Sequence, residues 1–279
     1  MVRIIGDTTC GFTLEQAKEL NIEFIPQIVV FGDKLYRDDT EMNGPMFAEK
    51  LAESSELPKT AAPPPALYTP NYKDMKEKGD CGIVICPSSE LSGTVRSATT
   101  ALQDFPDLDV RIIDTRLIGS SQATLIKMAK QAADDGKSID EIEALVRTEM
   151  AKVKIYAVVD TLEYLHKGGR IGGASKFFGE LLQIKPILSV IDGKVEAYEK
   201  QRTKKKAMSR LVEIVENECK DYKKGHFSFS MLADNPEIDF LKSEFRDRFG
   251  ADDLPFLNVP PASMVHAGPG VILLSFFSE

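Results

Sequence analysis

A chain of 279 residues, 43% of them hydrophobic, can bury a sizeable core and has room for two domains or one large one. Its formal charge of −8 excludes a nucleic-acid binder that works by broad phosphate neutralisation, although local basic patches remain open. No apolar run approaches the ~20 residues of a membrane-spanning helix, and the N-terminal VRII leads directly into a strand without a long secretory h-region, so the expected location is cytoplasmic. The four cysteines, Cys10, Cys81, Cys86 and Cys219, lack CxxC or paired metal spacing, which makes free thiols the expectation and gives no reason to expect a metal or other cofactor.

The first third alternates strands and helices. Val2–Ile5 is a short apolar strand, FTLEQAKEL has helical spacing, and IEFIPQIVVF returns as a strand before a turn at Gly32 and Asp33. Gly6-Asp7-Thr8-Thr9 is a polar turn at the end of the first strand, where open α/β sheets place ligands; it also reads as a plain Asx-turn. The proline-rich segment from Pro58 to Tyr68 must be a fixed loop or linker, with Thr60 its only hydroxyl before Tyr68 and therefore its hydrogen-bonding candidate if it lines a site.

A second strand-loop-helix unit follows. CGIVIC is β-rich, PSSELSGT is a polar turn, and VRSATTALQDF reads as a helix whose first turn begins near Ser92. Unpaired N–H groups at such a start favour an anion. Ser88, Ser89, Ser92 and Thr94 supply more hydroxyls than N-capping needs, which predicts an anion or carboxylate site here. The strand Val110–Asp114, a polar turn at Gly119 to Ser121 and the helix QATLIKMAKQAADDG come next. Ser138 and Glu141 then form a capping box for a helix running to about Lys152.

After VKIYAVVD the pattern changes. The stretch DTLEYLHKGGRIGGASKFFGELLQIKP, from Asp160 to Pro186, begins as a short helix with Asp160 at its N-cap and Leu162 and Leu165 on one apolar face. Gly168 and Gly169 end it where a left-handed residue is needed. With Gly172 and Gly173 they bracket Arg170, whose guanidinium either meets an anion or is solvated between two turns. KGGRIGG follows a helix rather than a strand and is no dinucleotide fingerprint. Pro186–Val190 and Lys194–Glu199 are strands joined by a hairpin at Asp192-Gly193. A helix over Lys205–Cys219, a strand HFSFSMLA and a helix IDFLKSEFRDRFG complete an α+β half with antiparallel pairing. The boundary falls near residues 150 to 155, giving domains of 1–152 and 153–279. Last comes His266-Ala267-Gly268-Pro269-Gly270 before the strand VILLSFF; His266 either donates to an anion or is structural.

Taken together, DTLEYLHKGGRIGG with LLQIKPIL and DGKV, SSELSGTVRSA, the loop PKT, and HAGPG before the final strand resemble the DegV family of bacterial lipid-binding proteins. The likeness spans nearly the whole chain. It implies a Rossmann-like N-terminal α/β domain, a C-terminal α+β domain and, between them, a closed tunnel for one long-chain fatty acid. It also implies a separate fatty-acid kinase subunit that phosphorylates the carboxylate to an acyl phosphate, the chain itself being a carrier and no enzyme.

By the same resemblance, Thr60, Ser92 and the Gly93 amide fall on the carboxylate contacts, and Arg170 and His266 on the polar network around the head group. Arg202, in the basic run Lys200, Arg202 and Lys204 to Lys206, is a candidate contact for the kinase. The proline loop departs from the family: TAAPPP stands where TSQPSP is usual, so Ala61, Ala62 and Pro64 lack polar side chains. Two other readings compete. One is a serine acyl hydrolase with Ser92 as nucleophile, His266 as base and Asp7, Asp114 or Asp160 as orienter, without a GxSxG elbow. The other is a lipid-responsive regulator that meets its partner through the basic run.

Overall fold

The computed structural model of the chain describes residues 1–180 and 184–278, so Leu181, Leu182 and Gln183 of the LLQIKP motif lie outside the described residues. Strand β1 (Val2–Asp7) leads through a 3-10 turn, Thr8–Cys10, to α1 (Leu14–Glu19), whose start carries a Thr13–Gln16 capping box. The run IEFIPQIVVF is not one strand. β2 (Glu23–Ile25) pairs in parallel with β1, whereas β3 (Ile28–Phe31) leaves for a different sheet. Pro26 has no N–H for a ladder, so the chain breaks there and Gln27 is left between the two sheets. β3 turns at Gly32 and Asp33 into β4 (Lys34–Arg37). After α2 (Gly44–Glu53) the chain returns as β5 (Lys59–Ala61) on the other side of β3, opposing Thr60 to Val29.

The next units are α3 (Thr69–Lys78), β6 (Cys81–Cys86), α4 (Thr94–Leu102), β7 (Val110–Asp114), α5 (Ser120–Asp134) and α6 (Ile139–Met150), the last with the Ser138–Glu141 capping box. They complete a parallel sheet in the order β2-β1-β6-β7. Alternate residues of its strands face opposite helix layers: Ile4, Ile83 and Ile113 pack with α5 and α6, Ile5 and Val84 with α3 and α4. The chain leaves β1 toward one edge and β6 toward the other. The loops after these two neighbouring strands therefore part and open a crevice at their carboxyl ends, the position where open parallel sheets bind ligands.

The remainder comprises β8 (Val153–Val158), α7 (Glu163–Lys167), a 3-10 segment Gly172–Glu180, β9 (Lys185–Ile191) and β10 (Lys194–Gln201), with the hairpin at Asp192 and Gly193. Then come α8 (Lys204–Glu218), β11 (Ser228–Ser230), α9 (Ile238–Phe249), β12 (Phe256–Leu257), α10 (Pro261–Ala267) and β13 (Ile272–Phe277). These strands form one sheet, β10-β9-β8-β13-β11-β12, antiparallel except for the β11–β12 pair. The expected strand HFSFSMLA shrinks to three residues. α10 has no counterpart in the sequence reading, because PASMVHA is too short to show a helical period.

One face of this sheet is sealed. Tyr156, Val158, Phe229, Leu274 and Phe276 pack against α8 and α9. The other face carries the intervening residues of the same strands and looks toward the first half of the chain. Val29 of β3 and Phe47 of α2 pack with Val159, Leu162, Leu165 and Val265, so the small three-stranded sheet closes over the second half.

Candidate functional site

The face turned away from α8 and α9 forms the floor of a cavity with about 150 Å³ open to the centre of a water molecule. Ladder pairing sets Ser230, Leu273, Ala157 and Leu188 side by side across β11, β13, β8 and β9, and all four line the cavity. Ala157 is the small residue between two leucines, so the row dips at its centre. Val190 and Val195, opposed across the β9–β10 hairpin, extend the apolar wall, while Val259, Ala262 and Val271 close it from the α10 side.

At one end the walls become polar. Thr60 from β5, Ser92 and Gly93 from the loop before α4, Arg170 after α7 and His266 on α10 all line the cavity. Four segments spread over the whole chain thus bring together the five positions that the sequence singled out. Thr60, Arg170 and His266 also line a second cleft, which Lys59, Tyr164 and Lys167 border from the other side. The polar cluster is therefore a shared wall between the apolar channel and a more basic cleft.

Thr60 Oγ1 lies 2.7 Å from His266 Nε2. Burial, reinforced by the charge of Arg170, lowers the His266 pKa from 6.5 to about 4, so the ring is neutral near pH 7 and carries one N–H. His266 Nδ1 is buried without a hydrogen-bond partner among the described residues. An orphaned N–H there would be costlier than a bare lone pair, which puts the hydrogen on Nε2. Nε2–H then donates to Thr60 Oγ1, and the Thr60 hydroxyl hydrogen is left for the cavity.

Arg170 is neither solvated nor held only for an anion. Its Nε donates to the Leu91 carbonyl at 3.1 Å and Nη1 to the Gly168 carbonyl at 2.6 Å, tying the loop before α4 to the loop after α7. The left-handed residue expected at the end of α7 is Gly169, with φ +71. Gly168 has a different reason to be glycine: a Cβ on it would stand 2.3 Å from His266 Nδ1. Asp160 does not cap α7. Its carboxylate meets Lys185, and Thr161 Oγ1 accepts the Glu163 N–H instead.

Helix α4 starts at Thr94, two residues later than expected, with Gly93 as an N-cap that has no side chain to offer; Ser92 Oγ accepts the Thr94 N–H at 3.4 Å. Two of the four hydroxyls serve elsewhere: Ser88 Oγ donates to the Gly193 carbonyl at 2.8 Å and Ser89 Oγ to Asp114 at 2.5 Å. Ser92 and Thr94 remain, bonded to each other at 2.8 Å. Of the three departures in the proline loop, Ala61 and Pro64 are exposed, and only Ala62 lines the cavity, where it packs close to Gly93.

Sequence reasoning missed the buried polar layer beneath this cluster. Asp7 and Asp38, both buried, accept bonds from Thr8, Thr9, Gln27 and Gln122. Burial raises their pKa values from 3.8 to about 6 and about 7. The Asp-Thr-Thr turn was a visible signal for this layer; Gln27, behind Pro26, gave none.

The hydrolase triad is not assembled. His266 engages Thr60, Asp7 engages the two glutamines, Asp114 engages Ser89 and Arg116, and Asp160 engages Lys185. Arg202 is exposed just before α8, and Lys200 lies over the Phe177 ring. All four cysteines are free. Among the described residues no helix is long and apolar enough to cross a membrane, and no cluster of His, Cys, Asp and Glu could hold a metal ion.

The fold is mixed α/β, with a largely apolar cavity that ends in hydroxyls, an imidazole and a guanidinium, and comparison with known proteins identifies its family. The model of the uncharacterised DegV protein family matches residues 1–279. A DegV domain-containing protein of Listeria innocua is 31% identical over 282 residues, covering 100% of this chain and 99% of the relative. The chain belongs to the DegV family. Among solved structures, a DegV family protein from Thermus thermophilus described for its fatty acid binding superposes with a TM-score of 0.91 at 26% identity, covering 100% of this chain and 99% of the other. DegV from Bacillus subtilis, described as a fatty acid binding protein, gives 0.87 at 27% identity with the same coverage.

Proposed function

We propose that this protein holds one long-chain fatty acid in the channel between its domains, 1–152 and 153–279, and presents the carboxylate to a cytoplasmic fatty-acid kinase subunit, which converts it to an acyl phosphate. The protein itself is a carrier and not a catalyst. The observation that carries the reading is the shared wall: Thr60, Arg170 and His266 border both the apolar channel and the outer cleft. A tail lies on one side of that wall, and its acidic end is reached from the other.

The energetics divide the same way. Burying an acyl chain is favourable by roughly 0.8 kcal/mol per methylene, so the tail supplies most of the affinity. A carboxylate drawn into the site must still be hydrogen-bonded, or its desolvation offsets that gain. The convergent hydroxyls meet this need and fix where the head group lies. The fatty acids in the descriptions of the Thermus and Bacillus relatives support the ligand class.

Arg202, exposed in a basic run just before α8, is the candidate partner contact. With a fatty-acid kinase subunit and ATP, hexadecanoyl phosphate forms only when this protein is added. Arg202→Glu lowers the rate by about tenfold or more, the scale of reversing one interfacial charge, while hexadecanoate occupancy stays as in the wild type. Equal rates with and without the protein would contradict the carrier role. An unaffected Arg202→Glu variant would move the contact elsewhere.

A further inference from the structure

Behind the site, a chain of hydrogen bonds runs from the crevice of the parallel sheet to the channel. Asp7 ends β1 and is 2% exposed. Its Oδ1 accepts from Gln122 Nε2 at 3.0 Å and its Oδ2 from Gln27 Nε2 at 2.7 Å. Gln122 is held as well by the Ile85 carbonyl, at 3.0 Å from the same Nε2. Gln27 Nε2 uses its second hydrogen on Thr94 Oγ1 at 2.9 Å. Thr94 Oγ1 in turn meets Ser92 Oγ at 2.8 Å, and Ser92 lines the channel.

The direction of every bond in this chain is determined. An ionised carboxylate only accepts, so both glutamines turn their NH₂ groups toward Asp7; reversing Gln27 would set its amide oxygen against the carboxylate. Thr94 therefore receives an N–H from Gln27. At 1% exposure its own hydrogen needs a partner, and Ser92 Oγ is the one within reach among the described residues. Ser92 accepts that hydrogen, and its own O–H is free to point into the channel. His266 sets the Thr60 hydroxyl in the same sense.

We propose that Asp7, Gln27 and Thr94 are positioning residues which hold the Ser92 hydroxyl as a donor into the channel, so that the site selects a carboxylate over uncharged head groups of equal chain length. This deepens the fatty-acid reading and rests on it. A carboxylate offers two acceptor oxygens to the two converging O–H groups. An alcohol offers one oxygen and adds a hydrogen, and an ester or primary amide offers one carbonyl oxygen, so each leaves a buried donor weakly satisfied.

The test compares hexadecanoate with hexadecan-1-ol, each displacing a fluorescent fatty acid from delipidated protein. Thr94→Val keeps side-chain shape but removes both the acceptor for Gln27 and the donor to Ser92. The wild type prefers the acid. Thr94→Val loses about tenfold or more of that preference, the scale of one hydrogen bond to a charged group, through weaker acid binding with alcohol binding preserved. Thr94→Ser keeps the preference. Gln27→Met, which cuts the chain one step earlier, acts in the same direction should Thr94→Val fold poorly. With [1-¹³C]hexadecanoate, the bound carboxyl titrates at higher pH in Thr94→Val than in the wild type, because a donor to the ionised form is gone.

Weakening of acid and alcohol by one common factor in both variants would overturn the proposal and leave Thr94 a packing residue. If the wild type binds neither hexadecanoate nor hexadecan-1-ol, the fatty-acid reading itself falls and the relay has no ligand to select. A wild type that binds both equally well contradicts the relay alone.

Discussion

Ala157→Phe expels a long acyl chain from the protein without unfolding it. Ala157 lies on β8 between Leu188 and Leu273, in a row that lines the channel, and its methyl group is what leaves the row hollow at the centre. A phenyl ring there occupies the space of about four methylenes, which at roughly 0.8 kcal/mol each removes about 3 kcal/mol of tail burial. That corresponds to a loss of about two orders of magnitude in hexadecanoate affinity. The empty protein responds in the opposite sense. A ring placed in a pre-existing hollow gains packing contacts instead of displacing them, so the melting temperature of the delipidated variant equals or exceeds that of the delipidated wild type. Calorimetry of both forms, with and without hexadecanoate, checks the pair of results. Undiminished binding by Ala157→Phe would mean that the tail does not cross this face of the sheet.

Gly168→Ala impairs the head-group end. Gly168 has φ −78, an ordinary right-handed value that alanine adopts freely, so backbone strain is not at issue. What alanine brings is a methyl carbon 2.3 Å from His266 Nδ1, closer than two such atoms can lie. The imidazole must move off Thr60, and the Thr60 hydroxyl loses the bond that directs its hydrogen into the channel. Carboxylate affinity drops about tenfold, the scale of one hydrogen bond to a charged group. A proton titration reports the same event. In the wild type the ring is held neutral down to a pKa of about 4. Between pH 6.5 and 4 the unfolded chain binds this proton and the folded chain does not. The contribution of His266 to stability is thus present above pH 6.5 and lost as the pH falls through that window. Released from its burial, the ring in Gly168→Ala titrates nearer 6.5, and the window narrows. NMR titration of the His266 ring measures the shift. A ring still titrating near 4, with unchanged affinity, would show that the pair does not depend on this close approach.

The two halves of the fold were legible in different degrees. Hydrophobic period, the Ser138–Glu141 capping box and the Asp192-Gly193 turn located most helices and the hairpin, because each is a local signal. The break at Pro26 was visible as a residue but not as an event. A proline can end a strand or sit at its edge, and only the pairing partners decide that β2 stays beside β1 while β3 joins β5. α10 was hidden by its shortness, although it carries His266.

Among the site residues, motif resemblance named Thr60, Ser92, Gly93, Arg170 and His266, and all five line one cavity. Their roles were less legible than their names. Counting hydroxyls before α4 assigned Ser88 and Ser89 to the site, yet those two bond to Gly193 and Asp114, partners that only the tertiary fold supplies. The glycines around Arg170 suggested room for an anion, whereas Gly168 makes room for an imidazole 98 positions along the chain. Gln27 carried no signal at all. An amide side chain after a proline looks like a surface residue until the fold buries it between Asp7 and Thr94.

Native mass spectrometry of the protein as purified, with no lipid added, addresses the central claim most directly. One species heavier than the chain by the mass of a single fatty acid is expected, with that adduct diminished in Ala157→Phe. A protein found at the mass of the bare chain, which also refuses hexadecanoate when it is supplied, would contradict the account.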